Sequence, residues 1–119
     1  MANILVIDDE QSILSILDHI LVQANHNCHV SNSIRDSISA LDIDNFDIVL
    51  LDLRLNNNPN DSVNLCEYIK VKNPKTKVIC ISGYIDKEYY CFDAHLQKPF
   101  NTKTILSLIC ELLGENCDI

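Results

Sequence analysis

Acidic side chains stand at the ends of two short apolar runs in this chain. Asp52 follows the run 48–51, and Asp8 and Asp9 follow the run 4–7. A carboxylate is costly to bury without a partner, so each acid should emerge where its strand leaves the core. Acids that gather in one place repel one another, and a hard divalent cation such as Mg²⁺, which takes oxygen ligands, would relieve that repulsion.

Two further polar side chains follow later apolar segments. Ser82 follows the run 78–81, and Lys98 ends the segment 94–98. In an open parallel sheet the carboxyl ends of the strands meet at one edge, so this hydroxyl and this ammonium group should face the acids. A metal-bound Asp52 beside a phosphate donor can attack phosphorus, and Ser82 and Lys98 can donate to the oxygens of the transferred group.

Each of these residues has a simpler interpretation when it is taken alone. Asp8 and Asp9 precede a helix, and on their own they are more simply a cap and a partner of the helix dipole. Ser82 could belong to an ordinary turn, and Lys98 before a proline is uninformative. The five residues in this order, all at strand ends, make coincidence improbable, and we expect them to form one site.

Strands and helices alternate along the sequence that must position this site. Apolar runs predict strands over 3–7, 28–30, 46–53, 77–81 and 94–98, and residues spaced as on one helical face predict helices between them and after the last. The Asn-rich stretch 56–61 predicts a loop. Asn73-Pro74 should end the third helix, and Asn101 and Gly114 should bound the last.

This alternation predicts an α/β fold in a single domain spanning residues 1–119. The expected architecture is a doubly wound, five-stranded parallel sheet in the flavodoxin-like order 2-1-3-4-5. In that order the first and third strands are neighbours, so Asp8, Asp9 and Asp52 should converge. The stretch 84–92 offers at most a turn or two of helix, which predicts a shortened fourth helix.

Composition excludes several other kinds of protein. The formal net charge of -8 argues against direct binding of nucleic acid, and no apolar stretch approaches the ~20 residues of a membrane span. Two distant glycines cannot build a GxGxxG loop or a P-loop. The six cysteines have no CxxC spacing, which favours reduced thiols and a cytoplasmic location.

The chain resembles the receiver domains of two-component response regulators. The matching segments cover nearly the whole sequence and are 4–10 (ILVIDDE), 47–55 (DIVLLDLRL), 78–84 (VICISGY) and 96–100 (LQKPF). The resemblance implies that Asp52 is the phosphoacceptor and that Asp8, Asp9, Asp52 and the Arg54 backbone carbonyl hold Mg²⁺. It also implies that Ser82 is the switch hydroxyl and that Lys98 senses the phosphoryl group.

The sequence departs from the usual receiver pattern in three places. Asn56 stands where receivers usually carry a proline, and Ser62 follows a longer Asn-rich stretch where a glycine is common. The interval from Ser82 to Lys98 is short, in keeping with a trimmed fourth helix. His95 occupies the position of the switch aromatic, and a plain surface histidine on an edge strand is an equal alternative.

The resemblance implies a phosphoacceptor that catalyses its own phosphorylation and dephosphorylation, not an enzyme with a separate substrate. A histidine kinase or phosphotransfer protein would supply the phosphoryl group to Asp52, and phosphorylation would switch binding of a downstream protein. We expect Arg54 and Tyr84 to overhang the phosphoryl group and to slow its hydrolysis.

Two alternatives deserve comparison with this interpretation. A haloacid-dehalogenase-type phosphatase needs a second acid two residues after its nucleophile, and Arg54 stands there instead. A degenerate receiver that only binds proteins, independently of phosphorylation, is the second alternative. We expect no output domain after the last helix, so that any effect would pass through another protein, whether the chain is a free-standing shuttle or a receiver cut from a hybrid kinase.

Overall fold

A five-stranded parallel sheet forms the centre of the molecule, in the order β2-β1-β3-β4-β5. The computed structural model describes residues 2–83 and 89–115. The strands are β1 (Asn3–Ile7), β2 (Asn27–Ser31), β3 (Ile48–Asp52), β4 (Lys77–Ser82) and β5 (Ala94–Gln97). The helices are α1 (Gln11–Gln23), α2 (Ile34–Ile43), α3 (Pro59–Lys72) and α4 (Thr102–Leu112). The predicted fold class and strand order are therefore confirmed.

Helices cover both faces of the sheet and enclose two hydrophobic cores. On one face α2 and α3 pack on the sheet through residues such as Leu41, Leu65 and Ile69. On the other face α1 and α4 do the same, with Leu17 and Ile105 fully buried. Because β3 lies between the two cores, all five of its residues are buried, which explains why the strand is apolar up to its last residue, Asp52.

Helix α3 begins earlier than the sequence pattern predicted. The stretch 56–61 was expected to be a loop, but Pro59 already occupies the first turn of α3, and the Asn58 side chain caps the helix by accepting from the Asn60 backbone N–H at 3.0 Å. Proline is well suited to this position because its missing N–H has no partner there in any case. Asn56 and Asn57 adopt left-handed backbone angles in the short 3-10 turn Leu55–Asn57 that precedes the helix.

The helix boundaries predicted at Asn73 and Asn101 are confirmed. Asn73 caps the end of α3, and the Asn101 side chain accepts from the backbone N–H of Thr104 at 2.8 Å. Gly114 follows α4 with φ of +71°, a left-handed conformation that glycine adopts without strain.

The connection between β4 and β5 is short. Gly83 and residues 89–93 contain no helix, and Phe92 from this connection is buried against the core beneath α2 and α3. The predicted shortened fourth helix falls mainly on residues 84–88, which lie outside the described part of the chain. The helix labelled α4 here is thus the one that follows β5.

Four thiols and one disulfide-bonded cysteine occur in the described residues. Cys28, Cys66, Cys80 and Cys91 are free. Cys110, in α4, is disulfide-bonded, which departs from the expectation of reduced thiols throughout. No helix in the described ranges combines the length and the apolar character that a bilayer crossing requires.

Candidate functional site

Three carboxylates meet at the carboxyl edge of the sheet. Asp8 and Asp9 directly follow β1, Asp52 ends β3, and Ile7 pairs with Leu51 in the register between these strands. One oxygen from each carboxylate lies within 4.8 Å of the others. Asp8 and Asp52 are buried, with 1% and 7% of their surface exposed, whereas Asp9 faces solvent. The structure thus brings together the three acids that the sequence placed at strand ends.

Lys98 lies between the two buried acids. Its Nζ is 3.3 Å from Asp8 Oδ2 and 3.8 Å from Asp52 Oδ1. The lysine is held there by the sheet, because its backbone N–H donates to the Ser82 carbonyl at 2.8 Å and extends the pairing of β4 with β5. When all three acids are ionised, the ammonium group of Lys98 balances only one of their negative charges.

The two buried acids, Asp8 and Asp52, have raised pKa values. Burial, followed by the charge of Asp8, raises the pKa of Asp52 to about 6, and Lys98 offsets only part of this rise. Burial also raises the pKa of Asp8, against the backbone hydrogen bond from Glu10 and the charge of Lys98. Burial is the main cause of both shifts, and a cation at this edge would favour the ionised form of each carboxyl group.

Backbone N–H groups hold the two buried carboxylates in place. The Glu10 N–H donates to Asp8 Oδ1 at 2.9 Å, and the Arg54 N–H makes a longer contact of 3.5 Å with Asp52 Oδ1. The capping residue of α1 is Glu10, which makes no side-chain capping bond, so Asp8 contacts the N–H of the cap and is not itself the cap. The second oxygen of Asp8 accepts from Lys98.

The donor set fits a hard divalent cation. Mg²⁺ takes oxygen ligands, commonly one or two carboxylates with waters and a phosphate oxygen, and this edge offers three carboxylates with excess negative charge. The fourth predicted ligand, the Arg54 carbonyl, accepts from the Asn57 N–H at 2.7 Å in the 3-10 turn. A carbonyl has two lone pairs, so this bond leaves one free to bind a cation.

Ser62 is a positioning residue that the sequence did not reveal. It is fully buried in the first turns of α3, and its Oγ donates to the backbone carbonyl of Asp52 at 2.6 Å. The sequence analysis noted Ser62 only as a replacement for a usual glycine. The available signal was a small hydroxyl residue directly after the Asn-rich stretch that follows Asp52.

The remaining predicted residues lie around this edge or outside the described chain. Ser82 is buried at the end of β4, next to Lys98 in the sheet. The Arg54 side chain is exposed two residues after Asp52. Tyr84, the second expected shielding residue, lies outside the described residues.

His95 lies on the opposite face of β5 from the core residue Leu96. It pairs with Cys80 in the register between β4 and β5, and its ring meets Phe92 edge to face with a centroid distance of 5.8 Å. Its Nε2 is buried without a hydrogen-bond partner in the described chain. The ring is half-buried and contacts Phe92 of the core, and a switching role for His95 stays a prediction.

The fold and this edge together define a class of protein: a doubly wound domain that gathers acids and a lysine at the ends of β1, β3 and β5. The chain matches the response regulator receiver domain family over residues 4–110. It therefore belongs to this family, whose general function is to accept a phosphoryl group in two-component signalling. The alternative of a degenerate receiver that only binds proteins is not favoured by this match.

Similar proteins come from the same family. A response regulator described as NtrX-like from Rickettsia bellii is 29% identical over all of this chain and 27% of its own length. The DNA-binding transcriptional regulator NtrC of Proteus hauseri is 29% identical over 90% of this chain and 24% of its own length. The chain thus spans about a quarter of the length of these relatives.

Two solved structures share the fold closely. NtrX from Brucella abortus in complex with ATP superposes with a TM-score of 0.87 at 25% identity, over 95% of this chain and 27% of that one. The DrrB receiver domain activated with BeF3 superposes with a TM-score of 0.84 at 26% identity, over 97% of this chain and 99% of that one. The similarity to the DrrB receiver domain thus covers almost all of both chains.

Proposed function

We propose that Asp52 is the phosphoacceptor of this receiver domain and that Mg²⁺ bound at the acidic edge is required for its phosphorylation. The supporting observation is the meeting of ligand oxygens of Asp8, Asp9 and Asp52 within 4.8 Å, beside Lys98. The ligands would be these carboxylates and the free lone pair of the Arg54 carbonyl. Mg²⁺, when bound, supplies positive charge that favours ionised carboxylates and neutralises phosphoryl oxygens.

The chain's own groups account for the transfer of the phosphoryl group. A carboxylate oxygen of Asp52 attacks phosphorus, and the bond from phosphorus to the donor nitrogen or oxygen breaks as the new bond forms. The donor leaves with the electron pair of that bond and takes up a proton. Lys98 Nζ, 3.8 Å from Asp52, then pairs with the oxygens of the aspartyl phosphate, and the Ser82 hydroxyl donates to another of them.

The phosphoryl group would act as a switch by favouring one of two arrangements of the sheet edge. A backbone hydrogen bond joins Ser82 and Lys98. When both side chains contact the same phosphoryl group, the end of β4 and the end of β5 would therefore move together. His95, in the same strand, would shift with them against Phe92. The partner-binding surface would be the outer side of β5 and α4.

The partners follow from the family and from the charge of the chain. A histidine kinase or phosphotransfer protein would donate the phosphoryl group, and a downstream protein would read the switched surface in the cytoplasm. With a formal charge of -8 the chain itself is poorly suited to nucleic acid. The DNA binding named for the Proteus relative therefore need not involve the part of it that this chain matches.

Arg54 and Tyr84 are proposed to slow loss of the phosphoryl group. The Arg54 side chain is exposed beside the site, where it can lie over a phosphoryl group on Asp52 and obstruct the attacking water. Dephosphorylation would then be a slow reaction catalysed by the domain itself.

Intact-mass analysis after acetyl phosphate treatment tests the proposal. With Mg²⁺, the wild-type chain should gain the mass of one phosphoryl group, and the gain should disappear in EDTA. Asp52→Asn should gain nothing. Asp61→Asn, a change of similar kind in the first turn of α3, is the matched control and should be labelled normally.

Labelling of Asp52→Asn to the wild-type level would refute the assignment of the phosphoacceptor. Labelling that is equal in Mg²⁺ and in EDTA would refute the metal requirement. A folded wild-type chain that takes no label from acetyl phosphate or from a phosphorylated phosphotransfer protein would support the inert binding module instead.

A further inference from the structure

The connection that leads into β5 is fastened to α3 by two side-chain contacts. The Tyr90 hydroxyl donates to Glu67 Oε2 at 2.9 Å, and Lys70 Nζ lies 2.5 Å from Asp93 Oδ2. Cys91 lies between Tyr90 and Asp93 in the connection, and Cys66 directly precedes Glu67 in α3. The hydrogen bond and the ion pair thus hold the two segments side by side next to these two cysteines.

The two thiols are close enough to interact directly. Cys91 packs against the hydrophobic core to which Cys66 belongs, and the Cys66 thiol is placed to donate a hydrogen bond to the Cys91 sulfur. Cys66 is fully buried, whereas Cys91 is only half-buried. Neither thiol has a part in the phosphoacceptor site, so this pair has no use in the function proposed above.

We propose that Cys66 and Cys91 are a redox-sensitive pair that closes to a disulfide in the presence of hydrogen peroxide. The bond would link α3 covalently to the connection between β4 and β5. Ser62, one helical turn before Cys66, is hydrogen-bonded to the Asp52 carbonyl. The same face of α3 would then join the phosphoacceptor strand to the segment that packs on His95.

The exposure of the two thiols assigns a role to each. The Cys91 sulfur, which solvent can reach, attacks one peroxide oxygen; the O–O bond breaks, and the departing oxygen leaves as water with the thiol proton. The sulfur of Cys66 then attacks the Cys91 sulfur, an S–S bond forms, and the S–O bond breaks to release a second water. The two thiols supply two electrons, and the peroxide is reduced to water.

The environment of the pair sets the conditions for this reaction. Burial raises the pKa of both thiols, and the hydrogen bond from Cys66 offsets part of that rise at Cys91. A thiolate is the reactive form, so the pair should respond to sustained oxidant at mildly alkaline pH and not to brief exposure near neutrality.

Peptide mapping without reduction tests this inference independently of phosphorylation. The purified chain is incubated with hydrogen peroxide at mildly alkaline pH, free thiols are alkylated, and tryptic peptides are analysed by mass spectrometry. We expect a linked pair of peptides containing Cys66 and Cys91, with the loss of two hydrogens and of two alkylated thiols. Treatment with dithiothreitol should break the link and restore both free thiols.

Variants separate a specific pair from general oxidation. The link should be lost in Cys91→Ser, which changes a half-buried position and should keep the fold, and retained in Cys28→Ala, which removes another half-buried thiol. Oxygen added to Cys91 without a link, a link to another cysteine or between chains, or no reaction would each overturn the proposal. Mapping also works with Asp52→Asn, so it would succeed even if the proposed phosphoacceptor were wrong.

Discussion

The two halves of the sheet's carboxyl edge are built very differently. At the centre, β1 and β3 have neighbours on both sides, and their terminal acids Asp8 and Asp52 are buried with defined partners. At the margin, β5 has four residues and one neighbouring strand, and the described residues that lead into it form no helix. We therefore expect the proposed chemistry to depend on the well-packed centre, and we expect the margin, where the proposal places partner binding, to change without displacing the acids.

Replacing Lys98 should have the largest effect, because this residue follows the marginal strand β5 while its side chain contacts the central acids Asp8 and Asp52. Replacing it by alanine removes the ammonium group nearest Asp52, and phosphorylation by acetyl phosphate should slow by about 100-fold, as for loss of a charge-stabilising donor. Lys75→Ala, an exposed lysine before β4, is the control and should react at the wild-type rate. Rapid-quench labelling measures both rates.

Binding of Mg²⁺ separates two explanations of that result. Lys98 competes with a cation for Asp8 and Asp52, so the affinity of Lys98→Ala for Mg²⁺ should stay the same or rise. A large fall in the affinity for Mg²⁺ would mean that the substitution had disrupted the acidic edge. The slower phosphorylation would then not show that Lys98 acts on the phosphoryl group.

The pH dependence of stability probes the charge at the centre. In the metal-free protein the pKa of Asp52 is raised to about 6, so between about pH 4 and 6 the folded state holds more protons than the unfolded state. The free energy of unfolding contributed by Asp52 should therefore fall as pH rises through this window, by up to about 3 kcal/mol.

Urea unfolding in EDTA measures this contribution as the difference between the wild type and Asp52→Asn. The asparagine variant has no titrating group at position 52, so we expect it to become more stable than the wild type as pH rises. Adding Mg²⁺ in place of EDTA should restore the stability of the wild type. A wild type that gains stability over Asp52→Asn across the same range would contradict the assigned burial and crowding of the acids.

Ser62 tests how far the centre depends on α3. Ser62→Ala removes the donor to the buried Asp52 carbonyl and should lower the free energy of unfolding by about 2 kcal/mol. Ser39→Ala changes an exposed serine of α2 and should alter stability by less than about 0.5 kcal/mol. Equal effects of the two substitutions in urea unfolding would show that the bond to Asp52 contributes nothing.

Arg54 should have the smallest effect. Arg54→Ala removes an exposed side chain beside the site, and the lifetime of the phosphoryl group should shorten by roughly threefold, which is below about 1 kcal/mol in the barrier. Arg35→Ala, an exposed arginine of α2, should leave the lifetime unchanged. An unchanged lifetime in Arg54→Ala would count against shielding by this residue.

The sequence predicted the centre of the molecule better than its margin, for a physical reason. Buried strands such as β3 must be apolar along their whole length, so an acid at the end of one is visible in the sequence. The start of α3 was missed because Asn58 and Pro59 suit a turn and a helix cap equally well, and tertiary packing decides between them.

Contacts between distant elements could not be read from the sequence. The bond from Ser62 to Asp52 and the pairing of Cys66 with Cys91 depend on how α3 lies across the sheet. The spacing of apolar and polar residues along the sequence does not predict how α3 is placed on the sheet. The same limit applies to His95, whose contact with Phe92 follows from the route of the connection between β4 and β5.

Chemical localisation of the phosphoryl group tests the central claim most directly. The chain is phosphorylated with acetyl phosphate in Mg²⁺ and treated with borohydride, which reduces an aspartyl phosphate to homoserine, and the modified residue is identified by peptide sequencing in the mass spectrometer. The account predicts homoserine at position 52 and at no other aspartate, with none in EDTA. Homoserine at Asp8 or Asp9, or a stable phosphate on Ser82, would contradict it.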